Sequence, residues 1–200
     1  MAVEKKLAEV IAANSNEFTA QCYKLNEAPP LGSLVKTGTD GDGIVFGIVY
    51  SIETHSLEPG RRVVIRGDKL DKEEEIYINN PHLEKLMATD FKTLIVGYSE
   101  TGKLRHYLPP RPPSSHKFVY LCTDNEVKDF SRSLNFLSVL AETKLPVSAD
   151  EIIAASLRNI SQLHSDAQAF IIGAGKELVW ILGGDVRRLN AILKRLELGK

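Results

Sequence analysis

Residues 44–52 read IVFGIVYSI, and this run decides how the rest of the chain is read. In an extended chain successive side chains alternate sides. Ile44, Phe46, Ile48, Tyr50 and Ile52 therefore share one face, and Val45, Gly47, Val49 and Ser51 share the other. Both faces are largely apolar, so the strand has to be covered on both sides. A glycine inside a strand marks a bend or a close backbone approach, and Gly47 is placed where the corner of a small barrel needs one.

Working outward, short β-branched runs alternate with turn residues from about Phe18 to Thr123, the spacing of a small all-β unit. GSLVK (32–36) is one run, and the glycine- and aspartate-rich stretch 37–43 is a loop. Glu58, Pro59 and Gly60 form a turn into a strand over Arg61–Ile65. Asp71–Glu75 is an acidic surface run, and Asn80–Pro81 opens a short helix to about Met87. Further strands are expected at Leu94–Val96, Arg105–Leu108 and Phe118–Thr123. Pro109, Pro110, Pro112 and Pro113 make a stiff connector before the last of these. The inward residues are expected to be Val35, Ile44, Phe46, Ile48, Val63, Ile65, Ile95 and Val119.

The flanks have helical texture. Val3, Leu7, Val10 and Ile11 recur at helical spacing and predict a helix within residues 1–16. From Asp124 the period is helical again, with Val127, Phe130, Leu134, Leu137 and Leu140 in one stripe. Ser148, Asp166 and Asp185 are expected to cap three further helices, and Gly183–Gly184 to separate the last two. In the last helix Arg187, Arg188, Lys194 and Arg195 form a basic arc, read as a solvated face. The fold class is therefore α+β. An N-terminal helix (1–16) precedes a small Greek-key-like β-barrel (17–123), and a helical tail of three to four helices (124–200) follows.

GSLVKTGTDGDGIVFGIVYSIETHSLEPGRRVVIRG (32–67) resembles the HAS barrel, the β-barrel shared by HerA-type DNA translocases and rotary ATP synthase subunits. The likeness rests on the Gly-x-Leu-Val opening, the strand Val45–Val49 and the Pro-Gly turn into a charged strand at 59–64, and extends over roughly 17–123. EPGRRVVIRG, RHYLPPRPP and AGKEL make the whole chain similar to stand-alone HAS-barrel proteins of the cyanobacterial type. The resemblance implies a barrel that mediates contacts between proteins. The HerA motor has no counterpart here. The nearest approach to a P-loop is Phe170–Glu177, with Phe170 in place of the first glycine and Glu177 in place of the hydroxyl. A helix with small residues at a packing contact is the reading preferred.

The remaining chemistry is sparse. The five histidines show no zinc-helix spacing and no cysteine neighbours. Asp40-Gly-Asp42-Gly43 suggests a calcium loop, but Val45 and Ser51 stand where that loop needs glycine and glutamate, so a turn is expected. No catalytic constellation, cofactor or metal site is expected, and the chain is read as non-enzymatic. The net charge of -1 leaves nucleic-acid or membrane contact to local patches. Cys22 and Cys122, with no secretion signal and no apolar run of spanning length, point to a cytoplasmic protein with two buried thiols. The candidate partner-binding residues are Arg61, Arg62, Arg66, Arg105, His106, Tyr107 and Arg111, arginines interleaved with aromatics. They suit a protein contact or self-association. The alternatives are single-stranded DNA or RNA tracked along its phosphates, and a solvated face balanced by the Asp71–Glu75 run.

Overall fold

A computed structural model describes residues 6–39, 41, 43–58, 60, 64–72 and 74–196. The sheet consists of β1 (Lys6–Ala13), β2 (Glu17–Cys22), β3 (Leu34–Thr39), β4 (Gly43–Ser56), β5 (Met87–Glu100), β6 (Lys103–Arg105) and β7 (Phe118–Leu121). Its order is β2-β1-β7-β3-β4-β5-β6, and β2 also pairs with β5. That pairing runs from Glu17 opposite Leu94 to Gln21 opposite Asp90, and it closes six antiparallel strands into a barrel. β3, β4 and β5 follow one another in space, and β7 returns beside β3, which is a Greek-key arrangement. β6 lies outside the ring, joined to β5 by a tight turn in which Thr101 and Gly102 both have positive φ.

The helix expected near the N-terminus is a strand. Lys6–Ala13 pairs with β2 on one side and β7 on the other, burying Ala8 and Val10 completely. Its alanines and charged residues favour a helix locally. Pairing along two sheet edges and the burial of Ala8 and Val10 outweigh that preference, which is worth only tenths of a kcal/mol per residue. Residues 1–5 lie outside the described chain.

The two faces of β4 are assigned opposite to expectation. Val45 and Val49 point into the barrel with Ala8, Val10, Phe18, Ala20, Val35, Phe91, Ile95 and Val119. Phe46, Ile48 and Tyr50 point out, into a second core shared with the helices. A six-stranded barrel is narrow, and its lumen is filled by side chains. Small residues therefore go inside with two phenylalanines, and the bulky face of β4 meets the wider helical layer. Gly47 also faces in, where a Cβ would stand 2.3 Å from Thr93 Cγ2 and 2.9 Å from the Leu94 carbonyl oxygen. Register shifts between Phe46 and Gly47 and between Val49 and Ser51 bend β4 and β5 around this closest approach. Ile44 only partly packs against the outer core, Ile65 is outside both cores at 87% exposure, and Val63 lies outside the described residues. Val35, Ile95 and Val119 are inward as expected.

Five helices follow: α3 (Asp124–Phe130), α4 (Phe136–Glu142), α5 (Ala149–Ser161), α6 (Ala167–Ile181) and α7 (Val186–Arg195). The stripe from Val127 to Leu140 is thus delivered by two helices. Between them Ser131 Oγ donates to the Lys128 carbonyl and Ser133 Oγ accepts from the Asn135 N–H, and such local bonds compete with helix. Thr123 and Glu126 close a reciprocal cap on α3, and Asp166 and Asp185 cap α6 and α7. Helix α5 is the central element, with Ile152, Ile153, Leu157 and Ile160 buried between the barrel wall and its neighbours. It comes close enough to the loop before β3 that a Cβ on Gly32 would stand 2.5 Å from the Ser156 nitrogen. Barrel and helices thus share one core.

Candidate functional site

The seven candidate residues do not form one surface. Arg61 and Arg62 lie outside the described residues. Arg66 belongs to a long excursion, residues 57–86, inserted between β4 and β5. Its base is fixed where the Leu57 N–H donates to the Leu86 carbonyl at 2.9 Å, and it carries two short helices, α1 (Glu74–Asn79) and α2 (Leu83–Leu86). α2 lies within the short helix expected after Pro81, whereas α1 starts inside the acidic run expected at the surface and continues four residues past Glu75, to Asn79. Arg66 Nη1 donates to Asn80 Oδ1 at 3.2 Å. The excursion folds around a cleft of about 400 Å³ whose walls are largely aliphatic: Val64, Ile65, Ile76, Leu83, Leu86 and Met87, with Tyr77. Ser56, Glu58 and Arg66 supply its polar groups. Among the wall residues, Ile65 (87%) and Val64 (66%) are strongly exposed. These apolar residues had no distinguishing signal in the sequence, where Ile65 read as barrel interior.

Arg105, His106 and Tyr107 line a shallower hollow of about 450 Å³ between β6 and the α3–α4 connection. Consecutive residues of an extended segment point apart. Arg105 and Tyr107 face outward together, with Arg105 Nη1 donating to the Tyr107 hydroxyl at 2.9 Å. His106 turns inward and stacks on Phe130 at 4.5 Å between centroids, with its Nδ1 buried and without a partner. Burial holds its imidazole below the ordinary pKa, so it is a neutral wall residue at pH 7. Arg132, which the sequence did not single out, reaches this hollow and pairs with Asp129 at 2.8 Å. Arg111 lines a third hollow with Tyr98 and Glu100 near the end of β4.

The ionisable side chains of the barrel are engaged across strands. His55 Nε2 lies 2.9 Å from Asp90 Oδ2, Gln21 donates to the other oxygen of the same carboxylate, and His55 Nδ1 meets the Ser56 carbonyl. The Asp90 bond, with that carbonyl, raises the His55 pKa against the effect of burial. Lys36, at the barrel wall, reaches Glu126 Oε1 at 2.5 Å. Burial pushes the Glu126 carboxyl up, but Lys36 and the N–H and hydroxyl of Thr123 outweigh it, and its pKa falls below the usual range.

No model of a known protein family matches the sequence, and no curated protein is found as a relative. Among the described residues, no three His, Cys, Asp or Glu side chains come together as a metal site, and no helix is long and apolar enough to cross a membrane. The near-P-loop segment is the middle of α6, with Ala174 buried in the core, Gly175 3.9 Å from Leu193 Cδ2 by its Cβ direction, and Gly173 facing open space. Asp40 and Asp42 of the calcium-like loop lie outside the described residues.

Proposed function

We propose that this chain is a non-enzymatic interaction or assembly module built on a HAS-type barrel. Its contact surface is the cleft of the 57–86 excursion. The observation that carries this reading is the exposure of Val64 and Ile65 in the wall of a preformed, largely aliphatic cavity. Apolar surface of this kind, gathered in one place, is characteristic of recognition sites. The occupant is an amphipathic segment of a partner protein that inserts two or three large apolar side chains. An acidic residue on that segment would meet Arg66, whose guanidinium retains donors beyond the one given to Asn80. The filled barrel lumen supports a scaffolding role for the sheet itself. The nucleic-acid alternative is less well supported, because the described arginines of the candidate set fall into three separate hollows and do not follow one track.

Affinity capture with the full chain tests the proposal, run beside a Val64→Asp/Ile65→Asp variant and an Arg66→Glu variant. A partner held by the wild type, lost with the double variant and weakened with Arg66→Glu, is the expected result. Identical captures with all three proteins would refute it.

A further inference from the structure

The outer face of the α6–α7 hairpin combines two features that its role in the core does not require. Helix α6 buries Ile171, Ala174 and Leu178, and turns Ile172, Lys176, Val179 and Trp180 to solvent. Trp180 is the only tryptophan of the chain and is 83% exposed. After the Gly183–Gly184 turn, Val186 is exposed at the start of α7. The basic arc of α7 divides into two pairs. Arg188 Nε bonds Asp150 Oδ1 at 2.7 Å, and Arg195 bonds Glu151, so both clamp α7 onto α5. Arg187 and Lys194 stay exposed and, like Lys176, have no ion-pair partner among the described residues. Leu193 approaches Gly175, so the two helices lie side by side on the same core and their outer faces are continuous.

We infer that this face docks on an anionic lipid surface. An indole beside aliphatic side chains suits the boundary between headgroups and acyl chains, where the ring body is apolar and its N–H stays wet. Three unpaired cations around that apolar strip complement anionic headgroups. Among the described residues, Glu177 lies half-buried at the edge of α6, and the Asp185 carboxylate accepts from the Arg188 N–H that it caps. The hairpin lies on the surface and does not cross it, as α6 and α7 are short and only one side of each is free. This surface is distinct from the excursion cleft.

The single tryptophan reports on its own burial. Full-length protein is titrated with vesicles of phosphatidylcholine alone and of phosphatidylcholine with 30% phosphatidylglycerol (roughly the anionic content that gives a cytoplasmic-leaflet potential), and co-sedimentation is measured in parallel. Expected is a blue shift of Trp180 emission with the anionic vesicles only, reversed by added salt. Lys176→Gln, Arg187→Gln and Lys194→Gln each weaken partitioning roughly fivefold. Ile172→Asp/Val186→Asp abolishes the blue shift, with circular dichroism confirming that each variant is folded. Three results would overturn the inference: no shift or co-sedimentation with anionic vesicles at low salt, equal binding to neutral vesicles, or the same emission change with a soluble acidic polypeptide and no lipid.

Discussion

Replacing Gly47 by alanine tests the assignment of barrel faces directly. The new Cβ would stand 2.3 Å from Thr93 Cγ2 and 2.9 Å from the Leu94 carbonyl oxygen. The methyl contact can be relieved by moving Thr93, but the carbonyl belongs to β5, which is held by strands on both sides. Both contacts lie in a fully packed lumen, so the cost falls in the upper part of the overpacking range, about 2–3 kcal/mol. For a chain of this length that lowers Tm by about 5–10 °C. Thr93→Ser removes the clashing methyl and by itself costs about 1 kcal/mol as a buried methyl deletion. In the Gly47→Ala background it restores part of the loss, so urea titrations of the four proteins give a coupling of about 1 kcal/mol or more. Gly173→Ala is the control. It lies in α6 facing open space and should stabilise by roughly 0.5–1 kcal/mol through helix propensity alone. A Gly47→Ala protein within about 0.5 kcal/mol of wild type, or an additive double mutant, would show that Gly47 does not face the lumen.

Glu126→Gln removes the carboxylate that Lys36 Nζ meets at 2.5 Å and should cost about 1.5–3 kcal/mol, the range for a hydrogen bond between charged groups, part of it recovered by Lys36→Met in the same chain. Because the folded Glu126 pKa is depressed, its contribution is present above the unfolded value of about 4.3 and is lost as pH falls through the folded one. The acid limb of a pH–stability curve should therefore flatten in the double variant. His55 has the opposite sign: its raised pKa means a contribution present below about pH 6.5 and lost as pH rises through the folded value. Its NMR titration midpoint should fall in Asp90→Asn, and an unchanged midpoint would discount the pair. The Cys22 thiol, pushed up to about 11 by burial and then by Asp90 and Glu27, should react with a disulfide reagent at pH 7.5 only as fast as the fold opens.

The long apolar alternation at 44–52 sufficed to indicate a strand covered on both sides, and the aspartates before α6 and α7 sufficed to mark where those helices begin. Such signals are local: a two-residue or 3.6-residue period, or a carboxylate within reach of the N–H three positions on. The candidate set was less legible, because it assumed that arginines near in sequence share a surface. His106 stacks on Phe130, which is far from it along the chain, and only that packing shows that its ring faces inward.

By itself the sequence determined the element types of most of the chain, the closed-sheet character of its first half and the helical character of its second. It could not determine which apolar face of β4 is interior, since Phe46 and Val45 are equally hydrophobic neighbours and the choice depends on the width of the lumen they enter. Nor could it turn Lys6–Ala13 into a strand, because that required edges on β2 and β7. Those decisions belong to tertiary structure, because burial is shared among strands distant in sequence and its energy outweighs any preference of a single segment.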